Sequence, residues 1–169
     1  ARLLESISPL VEEPERLNEV LEHYITSFEK YNNNMWAAKL GFSKFLPEDE
    51  ELVKELNKLL QEVETDMTIF FRELCSVTAP DISQLHESFY DPENIPVEGW
   101  NVWLEQWWLR VDATPDRDLM RINNPKYVLR NWMAQLAIDA AEKNDYSVCD
   151  ELFQLLKTPY QEHEIYEDK

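Results

Sequence analysis

At 169 residues the chain has the size of one domain and can bury roughly 70% of the surface its unfolded form exposes, while 34 acidic against 16 basic residues leave a formal charge of −18. Spread along the chain, that surplus repels a phosphate backbone and excludes nucleic acid as a partner; no apolar run approaches the roughly 20 residues of a membrane span, which excludes a membrane. Gly41 and Gly99 are the only glycines, too few for a glycine-rich phosphate loop or for sheets built on tight hairpins, so an all-α fold of roughly six to eight helices with no sheet of any size is expected.

The first segment, Ala1 to Val11, is short and apolar and reads as the end of an element; because the chain opens on Ala1 and not on methionine, we expect it to be part of a longer parent. Pro14 opens a long helix with Leu17, Val20, Leu21, Tyr24, Ile25, Phe28, Tyr31, Met35 and Trp36 at helical spacing, and Gly41 stops it. The Asn32-Asn33-Asn34 run has poor helix propensity and marks a candidate bend. Pro47 and four acidic residues open a second helix with the stripe Leu52, Val53, Leu56, Leu59, Leu60 and Val63. Thr65 or Asp66 caps a third, with Met67, Phe70, Phe71 and Leu74 facing inward.

Residues 77–98 read as an internal loop between helical halves of a single 1–169 domain, with one short helix at Ile82 to Phe89 and extended turns forced by Pro92 and Pro96. The next helix carries Trp100, Trp103, Trp107 and Trp108, four of the six tryptophans. Spacings of three and four residues favour packing against a neighbour over an exposed platform for a sugar ring or a cation. Thr114-Pro115-Asp116 starts another short helix carrying Arg117 and Arg121, and Arg110, Arg117, Arg121, Lys126 and Arg130 form a basic region that could bind carboxylates or phosphates. Pairing with the chain's own acidic residues or helix-end carbonyls is the expected use.

The stretch from Asn123 to Trp132 and on to Pro159-Tyr160 reads as a helical hairpin. Asn124 caps a helix that Pro125 opens, Val128, Leu129, Trp132, Leu136, Ile138 and Ala140 form its buried side, and Asn144 ends it in the left-handed conformation. Arg130 then falls mid-helix beside Asn131 and requires an anionic or carbonyl partner. Ser147 and Asp150 resemble a capping box for a second helix from about Val148 to Lys157.

No catalytic, cofactor-binding or metal-binding residue is assigned. His23, His86 and His163 are scattered with no triad or metal spacing, Glu48 to Glu51 point in different directions on a helix, and Cys75 and Cys149 read as buried thiols without disulfide or zinc spacing. Asn124, Pro125, Arg130, Asn131, Trp132, Trp103 and Trp107 are the candidates for structural or docking roles.

The string NPKYVLRNWMAQLAIDAAEKNDYS, with the Leu-rich helix and Pro-Tyr after it, resembles the C-terminal region of the selenoprotein O family of kinase-like protein adenylyltransferases. Ser8-Pro9-Leu10-Val11, Met35 to Gly41, Pro47 to Val53 and Asp66 to Leu74 fit the same family in the same order. The resemblance implies a parent that binds ATP and magnesium and transfers AMP to protein hydroxyls. It also implies that the glycine-rich loop, ATP-gripping side chains and catalytic aspartate lie outside this sequence. The expected partners are the parent's own kinase-like core and its protein substrates. The implied location is intracellular, in bacterial cytoplasm or mitochondrial matrix. A second reading is a stand-alone acidic helical interaction module. An apolar patch around the tryptophan helix would favour docking on a core.

Overall fold

The computed structural model describes residues 2–10, 13 and 16–163. Its helices are α1 (Arg2–Ile7), α2 (Arg16–Leu40), α3 (Asp49–Glu62), α4 (Met67–Leu74), α5 (Val97–Arg110), α6 (Arg117–Asn123), α7 (Asn131–Ala141) and α8 (Ser147–Lys157). Short 3₁₀ turns occupy Ser8–Leu10, Ile82–Ser88 and Pro92–Asn94. Among the described residues the only extended pairing is one antiparallel bridge between Thr65 and Phe89, so the fold is all-α as expected. Ala1, Val11 and Pro14, on which two of the sequence expectations rest, lie outside the described residues.

Tryptophan-rich α5 is the centre of the core. Trp100, Trp103, Leu104 and Trp107 are buried on it, packed against α3 and the 82–88 turn, with Phe70 and Phe89 against the Trp100 ring and Phe71 behind Phe70. Trp103 and Trp107 stack at 6.3 Å and 7° between planes. A buried indole usually finds a partner for its N–H: Trp103 Nε1 donates to Leu52 O and Trp107 Nε1 to Leu40 O, each at 2.9 Å, whereas Trp100 Nε1 is buried without one. The second bond satisfies a carbonyl at the end of α2, so α5 both fills the core and caps a neighbour. The packing reading of the tryptophan stripe holds; the apolar residues that α5 leaves exposed are Val97, Val102 and Leu109.

Both left-handed helix stops occur where expected. Gly41 has φ +75 and Asn144 φ +62, and in each case the following N–H bonds back five residues, Phe42 to Ala37 O at 2.8 Å and Asp145 to Ala140 O at 3.0 Å. Helix α2 runs unbroken through Asn32-Asn33-Asn34, so the candidate bend is absent. Its C-terminal turn, anchored by buried Ala37 and Leu40, outweighs three weak propensities.

Residues 77–98 contribute Val77, Ile82, Leu85 and Phe89 to the core. The 82–88 turn packs on α4 and α5, and two bonds tie it back to the α3–α4 junction, Asp66 N to Ser88 O at 2.7 Å and Tyr90 N to Glu64 O at 3.1 Å. On α4, Phe70, Phe71 and Leu74 face inward as expected, but Met67 is half exposed because it sits in the first turn, outside the aromatic cluster.

The hairpin differs most from its sequence reading. Residues 124–130 are not helical, α7 starts only at Asn131, and Asn124 closes α6 with φ −121 and ψ 101. Asn124 is therefore no N-cap, Pro125 opens no helix, and Arg130 precedes α7 instead of lying within it. The physical cause is Asn124 itself. Its side chain is wholly buried against Lys39 and cannot reach the free N–H groups of a following turn. Leu129, Trp132, Leu136 and Ile138 are each more than half exposed, and Ala137 is the buried residue of α7. Ser147 does not cap α8; Asp145 Oδ1 accepts from Ser147 N at 3.0 Å.

Candidate functional site

The candidates from the sequence fall into three places. Trp103 and Trp107 belong to the core. Asn124, Pro125 and Arg130 join the last third of the chain to α2 and α4. Asn131 and Trp132 are exposed at the start of α7.

At the junction, Lys39 Nζ donates to Asn124 Oδ1 at 2.7 Å, and Asn124 Nδ2 returns a bond to Lys39 O at 2.9 Å. Burial holds the Lys39 amine below its usual value, and the ammonium sits 4.1 Å from the centre of the Phe71 ring. Asp66 caps α4 by accepting from Thr68 N and Ile69 N, and the same carboxylate takes Arg130 Nη2 at 2.7 Å and 2.9 Å. Burial alone would raise the Asp66 carboxyl. The Arg130 and backbone donors outweigh it and hold the group below the usual carboxylate range. The anionic partner that Arg130 required is thus a helix cap.

The rest of the basic region is used internally. Arg110 forks onto Asp49, which is 1% exposed despite standing in a run of four acidic residues. Arg117 donates to Cys75 O at 2.7 Å and Val77 O at 2.6 Å. Lys126 pairs with Glu162, and Arg121 approaches Asp118 at 3.8 Å. Arg72, which the sequence reading passed over inside an apolar helix, donates to Arg121 O, Asn124 O and Tyr160 O and pairs with Glu162. Its signal was a lone arginine between Phe71 and Leu74. Arg72, Arg121, Lys126 and Glu162 line a polar cavity of about 500 Å³ together with Glu73, whose carboxyl burial and the nearby Glu87 charge push up to about 7. Asp49 offered no sequence signal.

No group of three or more His, Cys, Asp or Glu among the described residues is arranged to hold a metal, and no helix there is long and apolar enough to cross a membrane. His23 and His86 are exposed, while His163 Nε2 sits 2.8 Å from Thr158 Oγ1 at the end of α8. Cys75 is buried, and its thiol is pushed up by that burial; Cys149 is only half-buried, contrary to expectation.

Among the described residues, apolar surface is left open in two helical regions away from α5. One is the face of α2 from Val20 to Met35. The other is a groove of about 190 Å³ between α7 and α8, floored by Trp132, Met133, Leu136 and Leu152.

Residues 1–157 match the family model described as protein adenylyltransferase SelO. The chain is 40% identical to a protein nucleotidyltransferase YdiU of Flavobacterium johnsoniae, over 98% of this chain and 34% of that protein. It is 42% identical to the protein of that name from Aromatoleum aromaticum, over 95% and 32%, and 39% identical to the one from Tolumonas auensis, over 95% and 33%. The chain therefore spans about a third of the length of these curated relatives. A helical chain in which Arg72, Arg110, Arg117 and Arg130 hold helix ends and loops together, and which matches one family model over residues 1–157, belongs to the SelO family of protein adenylyltransferases.

Proposed function

We propose that this chain is the C-terminal helical region of a protein adenylyltransferase whose kinase-like core transfers AMP from ATP to serine, threonine or tyrosine hydroxyls of proteins. The match to the SelO model over residues 1–157, against a third of each relative's length, carries this reading. In that reaction a hydroxyl oxygen bonds to the α-phosphorus, the bond to the departing oxygen breaks, and pyrophosphate leaves. The core would hold ATP and magnesium. Its site is an intracellular compartment, bacterial cytoplasm or mitochondrial matrix.

We assign no nucleotide site to this segment. Gly41 is used in closing α2, with its carbonyl taken by Asp116 N, and Gly99 lies inside α5. Asp49 is neutralised by Arg110. This segment's role is support: the Asn124 and Arg130 junctions lock the last two helices to α2 and α4, so the region presents fixed surfaces to its parent. The stand-alone module retains one favourable observation, the apolar α7–α8 groove, which suits an amphipathic partner helix.

The test is incubation of the full-length parent with ATP labelled at the α- or the γ-phosphate. Label from the α-phosphate entering protein supports the proposal, and label from the γ-phosphate alone makes the parent an ordinary kinase. Nucleotide binding by the 169-residue chain itself would overturn its assignment as a supporting region.

A further inference from the structure

Helix α2 is amphipathic in sequence but, among the described residues, has a partner along only part of its length. Val20, Tyr24, Ile25, Phe28, Tyr31 and Met35 fall within an arc of about 140° at 100° per residue, a continuous stripe roughly 22 Å long. All are exposed, with Tyr24 at 63%, Phe28 at 59% and Tyr31 at 70%. Glu19, Glu22, Glu29 and Lys30 occupy the other side, so the water-facing side of a solvated helix is already provided. The stripe ends beside a hollow of about 260 Å³ formed by Met35, Trp36, Met67, Phe71 and Pro125. The helix end that carries it is fixed in the core through Ala37 and Leu40.

We propose that this face of α2 is the surface on which the rest of the parent polypeptide docks; the inference rests on the supporting role proposed above. Three observations select this occupant. The relatives are about three times the length of the matched region, so most of such a polypeptide lies outside it. A second copy is disfavoured because each carries a formal charge of −18, and two like-charged surfaces repel. The three rings expose roughly 400 Å², and the whole stripe falls short of the roughly 800 Å² per partner of a stable free complex. A face of that size suits a tethered neighbour, whose effective concentration is set by the linkage.

Hydroxyl-radical footprinting of Tyr24, Phe28 and Tyr31 tests this in the full-length parent and in the 169-residue chain. Protection of at least fivefold in the parent relative to the chain is expected. Equal reactivity in both overturns the proposal, and so does protection in the chain that grows with its concentration, which would make the occupant a second copy. A Phe28→Asp/Tyr31→Asp variant should leave the melting temperature of the chain unchanged, because neither ring is in its core, and should raise footprinting of Tyr24 in the parent to the level of the chain. An unchanged footprint in that parent variant also overturns the proposal. Absence of α-phosphate transfer with Tyr24 still protected would remove the enzymatic reading alone; transfer with Tyr24 unprotected would remove the docking face alone.

Discussion

Arg110→Met probes the buried ion pair that joins α5 to the start of α3. Arg110 Nε donates to Asp49 Oδ1 at 2.5 Å and Nη2 to Oδ2 at 2.9 Å, while Leu46 N gives Oδ2 a third bond at 2.7 Å. The guanidinium also donates to Lys44 O at 3.0 Å and lies 4.5 Å from the Phe42 ring centre, and its bond to Asp49 holds it above its usual value. Methionine would keep the stem and the ring contact and leave the carboxylate buried with one backbone donor. Removing one partner of a fully buried pair costs about 3–5 kcal/mol. The Arg110 side chain is 23% exposed, so water can reach the orphaned group, and about 2–4 kcal/mol is expected. For a chain of this length that is a fall of roughly 5–12 °C in melting temperature, read by circular dichroism. Asp49→Leu in the same background should restore at least half of the loss, because an apolar pair needs no solvation. A fall under about 2 °C, or a double variant as unstable as the sum of the two single ones, would refute the reasoning.

Gly41→Ala should destabilise by about 2–4 kcal/mol in urea unfolding, since φ is +75 and a Cβ would stand 2.8 Å from Met120 Sδ and 3.2 Å from Asp116 N; a loss below about 1 kcal/mol would show that the α2–α6 contact yields. Arg130→Ala should cost about 1–2 kcal/mol at pH 7, its pair being one-third exposed on the Arg130 side. Because the Asp66 carboxyl is depressed, the pair stabilises fully above the ordinary carboxylate range and fades as pH falls below that range, so the gap between the variant and the parent sequence should shrink there. Persistent separation of their melting temperatures there would contradict the assignment. Glu73→Gln should act in the opposite sense. The folded carboxyl keeps its proton up to about 7 whereas the unfolded one loses it near 4.5, so stability drains away between those values, and Glu73 Oε2 is buried without a hydrogen-bond partner. The variant should gain about 1–2 kcal/mol at pH 8 and nothing at pH 4; the same gain at both would rule out titration as the cause.

Some elements were legible because their determinants are local. Apolar residues recurring every three or four positions located α3 and α5, and Gly41, Asp66 and Asn144 marked helix ends through conformations and bonds that involve only their immediate neighbours. Asn124-Pro125 carried an equally strong local signal and misled. The Asn124 side chain bonds Lys39, 85 residues away in sequence, and a buried bond at that distance outweighs a cap worth about 1 kcal/mol. Arg130 was recognised as needing an anion, but nothing nearby in sequence identified Asp66, which already served as the cap of another helix. Asp49 was indistinguishable from Glu48, Glu50 and Glu51, because burial is decided by what packs above a residue.

By itself the sequence determined an all-helical, acidic chain of the SelO type, since composition, turn chemistry and the long family string are properties of neighbouring residues. The tertiary structure alone decided which apolar stripes are covered. Periodicity reports that a helix has an apolar side and is silent on what lies opposite it. The α5 tryptophans met α3, α4 and the 82–88 turn and became the core. The stripes of α2 and α7, written in the same pattern, are only partly covered by the described residues, and Tyr24, Phe28, Tyr31, Trp132 and Leu136 are each more than half exposed.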